Sequence, residues 1–341
     1  MIYDALPLVS SITPEKAGVI PSHVFESEQP VVIKGLVNHW PAVSTEEQGF
    51  KALAGYLARF WTRERPVTAY VAGPTVKGRF GYNEAFNNFN FKSGSAPLPD
   101  VMERLMEQEV LPEDQAGSIY VGSTPVDQWL PGFQNENALS VPGMPLVNFW
   151  MGNKTTVSAH YDFPHNVACV VRGRRRFTFF PTSQIDNLYV GPIDRTPSGQ
   201  PISLVNFDQP DFEAFPLFTE ALKHAQTVVL EAGDAIFIPS MWWHHVKSLS
   251  SCNMLVNYWW IDDVSGMRGS PFNALLHAVM GLRHLSPVQK KAWQHIFNYY
   301  IFESDRHDMS HIPAHAQGYL GELKPEDVFR LRSDLINRLN Q

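Results

Sequence analysis

The sequence predicts a mainly β protein: a barrel or jelly roll of short strands, preceded by a mixed α/β flank and followed by helices. Three observations carry this. From about residue 118 to 262, segment after segment is rich in β-branched and aromatic residues and bounded by Gly and Pro turns. Before residue 118, strand-like and helical patterns alternate, and from about residue 266 onward the apolar period becomes that of a helix. Many short strands with turns between them are stable when they close into a barrel or jelly roll, whose interior can hold a small ligand.

Taken in order, Pro30 to Gly35 reads as a buried strand closing in a Gly turn, and 45–61 and 98–110 read as amphipathic helices, so residues 1 to about 115 form a bracing flank. The strands of the core are Val147 to Trp150, Val167 to Val171, Phe177 to Phe180, Thr227 to Leu230, Ala235 to Ile238 and Met254 to Trp260. Glu231 to Asp234 reads as a turn, and Pro239-Ser240 as a break before the pair Trp242-Trp243. Ser270-Pro271 and Ser286-Pro287 each present an N-cap followed by Pro at the first helical position. After the second, Ala292, Trp293, Ile296, Phe297, Tyr300 and Ile301 recur at helical spacing; a last helix over about 325–339 carries Val328, Leu331, Leu335 and Leu339. These helices either pack on the barrel or share their apolar stripe with a second copy of the chain, and the expectation is a homodimer through them. The expected division is a catalytic domain over 1–265, with its barrel core at about 118–262, and a helical region over 266–341.

At 341 residues with 44% hydrophobic composition, the chain can bury a sizeable core. No apolar run approaches the ~18 residues of a membrane helix, and Met1 to Pro7 lacks the basic start and apolar stretch of a secretory signal. The expectation is a cytoplasmic protein without membrane contact. With 27 Lys and Arg against 34 Asp and Glu, a net charge of −7, there is no overall positive field to collect nucleic acid. The basic run Arg172 to Arg176 reads as a turn with solvated charges. The two cysteines, Cys169 and Cys252, lie in apolar runs and read as small buried hydrophobes.

The chemistry-bearing pattern is His160-Tyr161-Asp162 with His244, 82 residues beyond Asp162, in the run Ile238 to Val246. In an extended strand, residues i and i+2 share a face, so His160 and Asp162 can point inward together. Two imidazoles and one carboxylate are the donor set of a non-haem Fe(II) oxygenase, which leaves coordination positions open. A closed structural site would use four protein ligands, usually including cysteine. On its own, an HxD triplet is also what a strand with one surface His and one surface Asp looks like. The second segment, in which Gly-Asp, an apolar strand, Pro and Trp-Trp-His follow at fixed offsets, makes accident harder. Of the tryptophans in or beside the strand region, most are expected in the core and a few in a substrate cleft.

The runs His160 to Asn166, Arg172 to Pro181, Gly233 to Pro239, Trp242 to Val246 and Val256 to Trp259 resemble those of the cupin-like JmjC Fe(II)/2-oxoglutarate-dependent oxygenase family, the group that includes the asparaginyl hydroxylase of hypoxia-inducible factor and its bacterial relatives. Pro30 to Leu36 with Trp40 to Ala42 is similar to that group's N-terminal flank, so the resemblance spans about 20 to 262. It implies a double-stranded β-helix, Fe(II) and 2-oxoglutarate. It also implies reaction with O2 on an unidentified protein side chain or small molecule, with succinate and CO2 released, and in some members a dimer through C-terminal helices. Carried over by position, the metal ligands are His160, Asp162 and His244, the last chosen over His245 by the motif. Arg175 stands where relatives have a Lys that holds the distal carboxylate of 2-oxoglutarate; Tyr120, Asn166 and Asn257 match polar residues near the co-substrate. Val157 stands where a Thr is usual, with Thr155 or Thr156 as candidate substitutes, and His165 is read as a supporting or loop residue. Two other classes stay open: a cupin metal enzyme that does not use 2-oxoglutarate, and a non-catalytic ligand-binding cupin. Histone lysine demethylation is the least expected activity, because no reader module is apparent.

Overall fold

Numbered in chain order, fourteen strands form two sheets among the residues that the computed structural model describes, which are 2–62, 65–112, 114–262, 270–321 and 323–340. The larger sheet runs β1 (Ser11–Ile12), β2 (Val31–Ile33), β12 (Ala235–Ile238), β9 (His165–Arg172), β14 (Asn253–Trp260), β7 (Leu146–Gly152), β6 (Ser118–Pro125), β3 (Val67–Ala72) and β5 (Lys92–Ala96). The smaller runs β11 (Gln226–Leu230), β10 (Arg175–Phe180), β13 (Trp243–Ser248), β8 (Thr156–His160) and β4 (Arg79–Phe80). From β7 to β14 the chain crosses repeatedly from one sheet to the other, the winding of a jelly roll; pairing is antiparallel except at β1·β2 and β4·β8.

The sequence of β9 shows how the layers form. Val167, Cys169 and Val171 point outward to a cluster with Trp40, Leu53 and Leu105 of the N-terminal flank, while Ala168 and Val170 point inward. There they meet Phe177 and Phe179 of β10, with Ile236 and Leu255, between the sheets. A strand buried on both faces needs apolar residues at every position, which is why this run shows no alternation. Behind the smaller sheet, Phe180, Phe207, Phe218 and Trp243 form a third cluster. Cys169 and Cys252 are both buried and unbridged.

Two expectations change. The helix expected over 45–61 is a 3-10 turn, Val43–Gln48, followed by a helix, Phe50–Leu57, because Gly49 between them has φ +87°, a value no helical residue takes. The helix expected over 98–110 is Leu98–Glu109. The run Arg172 to Arg176 makes the expected turn, with Gly173 at φ +75° and Arg174 exposed, but its other charges are not free in solvent: Arg172 pairs with Glu46 at 3.2 Å, Arg176 lies over the Tyr3 ring and Arg175 is buried.

The chain divides into two compact units, Met1–Ile261 and Asp262–Gln341; the expected boundary at 265 and 266 lies outside the described residues. The second unit holds helices Pro271–Leu282, Pro287–Phe297 and Pro325–Leu339. Ser286 and Gln289 form a reciprocal capping box, the Gln289 N–H donating to Ser286 Oγ at 3.3 Å and the Ser286 N–H to Gln289 Oε1 at 3.0 Å. None of the described residues of this unit is fully buried, and on its apolar stripe Trp293 and Ile296 are each 42% exposed. Among the described residues no helix is long and apolar enough to cross a membrane.

Candidate metal centre

His160 ends β8 and His244 lies second in β13, and the antiparallel register pairs these two residues directly. Their rings sit side by side, centroids 4.3 Å apart. Asp162 follows in the turn after β8, its Oδ2 3.5 Å from His244 Nε2. One donor atom from each of the three lies within 4.8 Å of the others, so a single ion can reach all three.

Each imidazole is held by its own strand. Nδ1 of His160 is 3.0 Å from the Ser158 carbonyl, and Nδ1 of His244 is 2.9 Å from the Trp242 carbonyl. A carbonyl only accepts, so Nδ1 carries the hydrogen and Nε2 keeps the lone pair a metal needs. Burial, followed by the neighbouring His244, pushes His160 down to about 4, which keeps it neutral and able to ligate at physiological pH. For Asp162, burial works upward. His244, His160 and the nearby Trp259 indole N–H outweigh it and hold the carboxyl below the usual range, hence ionised. His245 faces the other way, stacked on Phe207 with centroids 4.5 Å apart, as strand alternation requires.

The turn that presents Asp162 is clamped by a second turn. The Met241 N–H donates to the Asp162 carbonyl at 2.9 Å, and Ser240 Oγ donates to the Phe163 carbonyl. Met241 has φ +68°, unusual for a residue with a side chain. His165 lies outside the cavity: it stacks between Phe237 and Trp260, and its Nδ1 accepts from the Ser240 N–H at 3.3 Å. Pro239-Ser240 in the sequence signalled a break but not this role.

The three donors open on a cavity of about 650 Å3 between the sheets, within the range of small-molecule sites. Arg175, Tyr120, Asn166 and Asn257 all line it. Arg175 is 4% exposed, and its Nε and Nη2 have no hydrogen-bond partner. Burial lowers it to about 10, with Tyr120 acting the other way, so it is a cation at neutral pH, and among the described residues that line the cavity Asp162 is the only carboxylate. Burial pushes the Tyr120 phenol up, so it stays protonated and can donate. Trp150 Nε1 donates to Asn257 Oδ1 at 2.7 Å and Asn257 Nδ2 to Asn166 Oδ1 at 3.2 Å, a relay that fixes both amides.

Val157 also lines the cavity, whereas Thr155 and Thr156 do not, so neither can stand in for the missing Thr; Thr155 Oγ1 turns to Ser248 at 3.5 Å. The register along β13 slips between the His160 and Val157 pairings, the mark of a bulge in β8. Only such a bulge brings Val157 and His160, three residues apart, to one face. Of the tryptophans, Trp129, Trp150 and Trp259 reach the cavity, while Trp243 and Trp260 are buried in the outer clusters.

A family model described as the cupin-like domain matches residues 19–265. The chain is 37% identical over 128 residues to the lysine-specific demethylase JMJ31 of Arabidopsis thaliana, covering 37% of this chain and 23% of that protein. It is 25% identical over 248 residues to the Jumonji C domain-containing protein 5 of Drosophila melanogaster, covering 69% and 55%. It is 36% identical over 101 residues to the tRNA wybutosine-synthesizing protein 5 of Gallus gallus, covering 30% and 29%. The matched segments therefore span between about a quarter and about half of these relatives.

Proposed function

We propose that the chain, which belongs to the cupin-like domain family and has a relative named as a Jumonji C domain-containing protein, is an oxygenase that uses Fe(II) and 2-oxoglutarate to hydroxylate a protein side chain or a small molecule. The observation that carries this reading is one cavity holding both a two-His, one-carboxylate cluster and an unpartnered buried guanidinium. The donor set suits Fe(II) and leaves positions open for a bidentate co-substrate and O2. The guanidinium suits the far carboxylate of a dicarboxylic acid, which it can grip with two parallel N–H bonds. Such a pairing also explains why a cation is tolerated in that place.

In this reading His160, Asp162 and His244 hold the iron, Arg175 and Tyr120 bind the distal carboxylate, and the Asn166–Asn257–Trp150 relay walls the co-substrate. Iron with 2-oxoglutarate supplies the O2-dependent oxidation of a C–H bond, coupled to formation of succinate and CO2. The protein's share is to orient and to exclude water. The Nδ1–carbonyl bonds hold the imidazoles in the ligating tautomer, and the Ser240–Met241 turn holds the Asp162 backbone. The winding of β7 to β14 supports a double-stranded β-helix as the specific form of the jelly roll. The exposed stripe at Trp293 and Ile296 supports a homodimer through the C-terminal helices.

The test is anaerobic addition of Fe(II) and 2-oxoglutarate, monitored for the visible charge-transfer band of the chelate, followed by O2 and a succinate assay. A band that is lost in His160→Ala is expected. Metal binding without a band would favour a cupin chemistry independent of 2-oxoglutarate, and no metal binding would favour a ligand-binding module. The net charge of −7 disfavours nucleic acid, whereas the name of the Gallus gallus relative points to tRNA. Succinate formation with peptide, metabolite and tRNA pools separates these substrates.

A further inference from the structure

The cavity's charge balance and its aromatic wall point to the chemical class of the prime substrate. The inference rests on the oxygenase reading above. Among the described residues, Asp162 and Arg175 are the only Asp, Glu, Lys or Arg side chains that line the cavity. In that reading both are engaged: Fe(II) and Arg175 bring three positive charges, Asp162 and the two carboxylates of 2-oxoglutarate three negative ones. The loaded site is neutral, and the rest of the lining offers no counter-ion.

What remains is aromatic and uncharged. Rings follow one another in contact from Phe91 to Tyr70, Tyr120, Trp150 and Trp259, at centroid separations of 5.4, 6.4, 6.1 and 5.7 Å. Phe80 joins the wall 5.4 Å from Phe91, and the Trp259 end lies beside Asp162. Val157 and Ile202 also line the cavity, and the Pro197 to Gln200 segment adds only neutral groups. We infer that the group delivered to the metal is uncharged, apolar or aromatic, and not an ammonium, guanidinium or carboxylate. Ring faces attract cations, but that attraction is smaller than the penalty of drying an ion with no opposite charge beside it. An aromatic or aliphatic group loses nothing on drying and gains stacking contacts along the wall.

The experiment uses the full chain with 2-oxoglutarate and Mn(II) in place of Fe(II), and three probes of similar shape: p-cresol, 4-methylbenzylammonium and 4-methylbenzoate. Paramagnetic broadening of the probe's proton resonances reports approach to the metal, and a parallel Fe(II) sample reports the charge-transfer band. The expected result is broadening of p-cresol, with the two ions at least about tenfold weaker. Gln200→Glu, which adds a carboxylate to the lining, should strengthen the ammonium probe by roughly tenfold without helping the benzoate. Preferential binding of the ammonium or the carboxylate to the unaltered chain, or no broadening by any probe, overturns the inference while the band stands. Absence of the band overturns the oxygenase reading itself, and this inference with it.

Discussion

Replacing Arg175 by Met separates a binding role from a structural one, because the two roles predict opposite signs. The guanidinium is 4% exposed with two unpartnered nitrogens, and burial lowers its pKa from the ordinary arginine range to about 10. A loss of more than two powers of ten in proton affinity corresponds to roughly 3 kcal/mol against the charged form. A group with a lowered folded pKa that is charged when protonated destabilises the fold fully below that pKa, so the penalty is present at pH 7 and is relieved only as pH rises past about 10. Met has similar bulk and no charge, and exchanging a buried ion for an apolar side chain is often neutral or stabilising by about 1–4 kcal/mol. The ligand-free Arg175→Met chain should therefore melt higher, by about 6–12 °C for roughly 3 kcal/mol at about 2–4 °C per kcal/mol. Its affinity for 2-oxoglutarate should fall, since losing one partner of a buried charge pair costs about 2–5 kcal/mol, or roughly 30- to 5000-fold. Thermal melting of the metal-free protein and anaerobic titration of the charge-transfer band measure the two effects. A lower melting temperature together with unchanged 2-oxoglutarate affinity would refute the assignment and make Arg175 a structural residue.

His160 and His245, held neutral down to about 4 and about 3, remain unprotonated in the folded chain while the unfolded chain takes up protons below about 6.5. The metal-free protein should thus lose stability as pH falls from about 6.5 toward 4, by up to about 2.7 kcal/mol per pH unit for two protons; a urea midpoint that stays flat from pH 7 to 5 would contradict this. Gly173→Ala should lower the melting temperature, because φ is +75° and an added Cβ would lie 2.5 Å from Asn253 Oδ1. Gly281→Ala, in a helix with nothing within 4 Å of the new methyl, should raise stability by up to about 1 kcal/mol. Trp293→Asp, on the exposed stripe of the second unit, should leave a dimer dissociated in sedimentation analysis while the charge-transfer band persists; an unchanged mass would place any dimer contact elsewhere.

Much of this architecture was legible along the chain. The runs that became β9, β12 and β14 read as strands because they are buried on both faces, and the Ser286-Pro287 start of Pro287–Phe297 read correctly because its cap is made by residues three apart. The helix over 45–61 misread because its apolar spacing continues through Gly49, and periodicity does not register a positive φ. The Arg172 to Arg176 run misread for a different reason: composition shows five residues rich in charge, but Arg175 begins an inward-facing alternation with Phe177 and Phe179, which places its guanidinium inside.

The sequence by itself determined which donors are available. His160 and Asp162 stand two residues apart and a Trp-Trp-His segment downstream supplies a third, although β8 ends at His160 and Asp162 follows in the turn rather than sharing the strand. Only the tertiary structure decided what those donors can do. The pairing of β8 with β13 sets His244 against His160, the bulge turns Val157 rather than a Thr into the cavity, and the Ser240–Met241 turn secures Asp162. Register, bulges and the partners of a buried charge come from segments tens to hundreds of residues apart. No local pattern encodes them; they arise when the two sheets close and burial raises the energy of every polar group left unpaired.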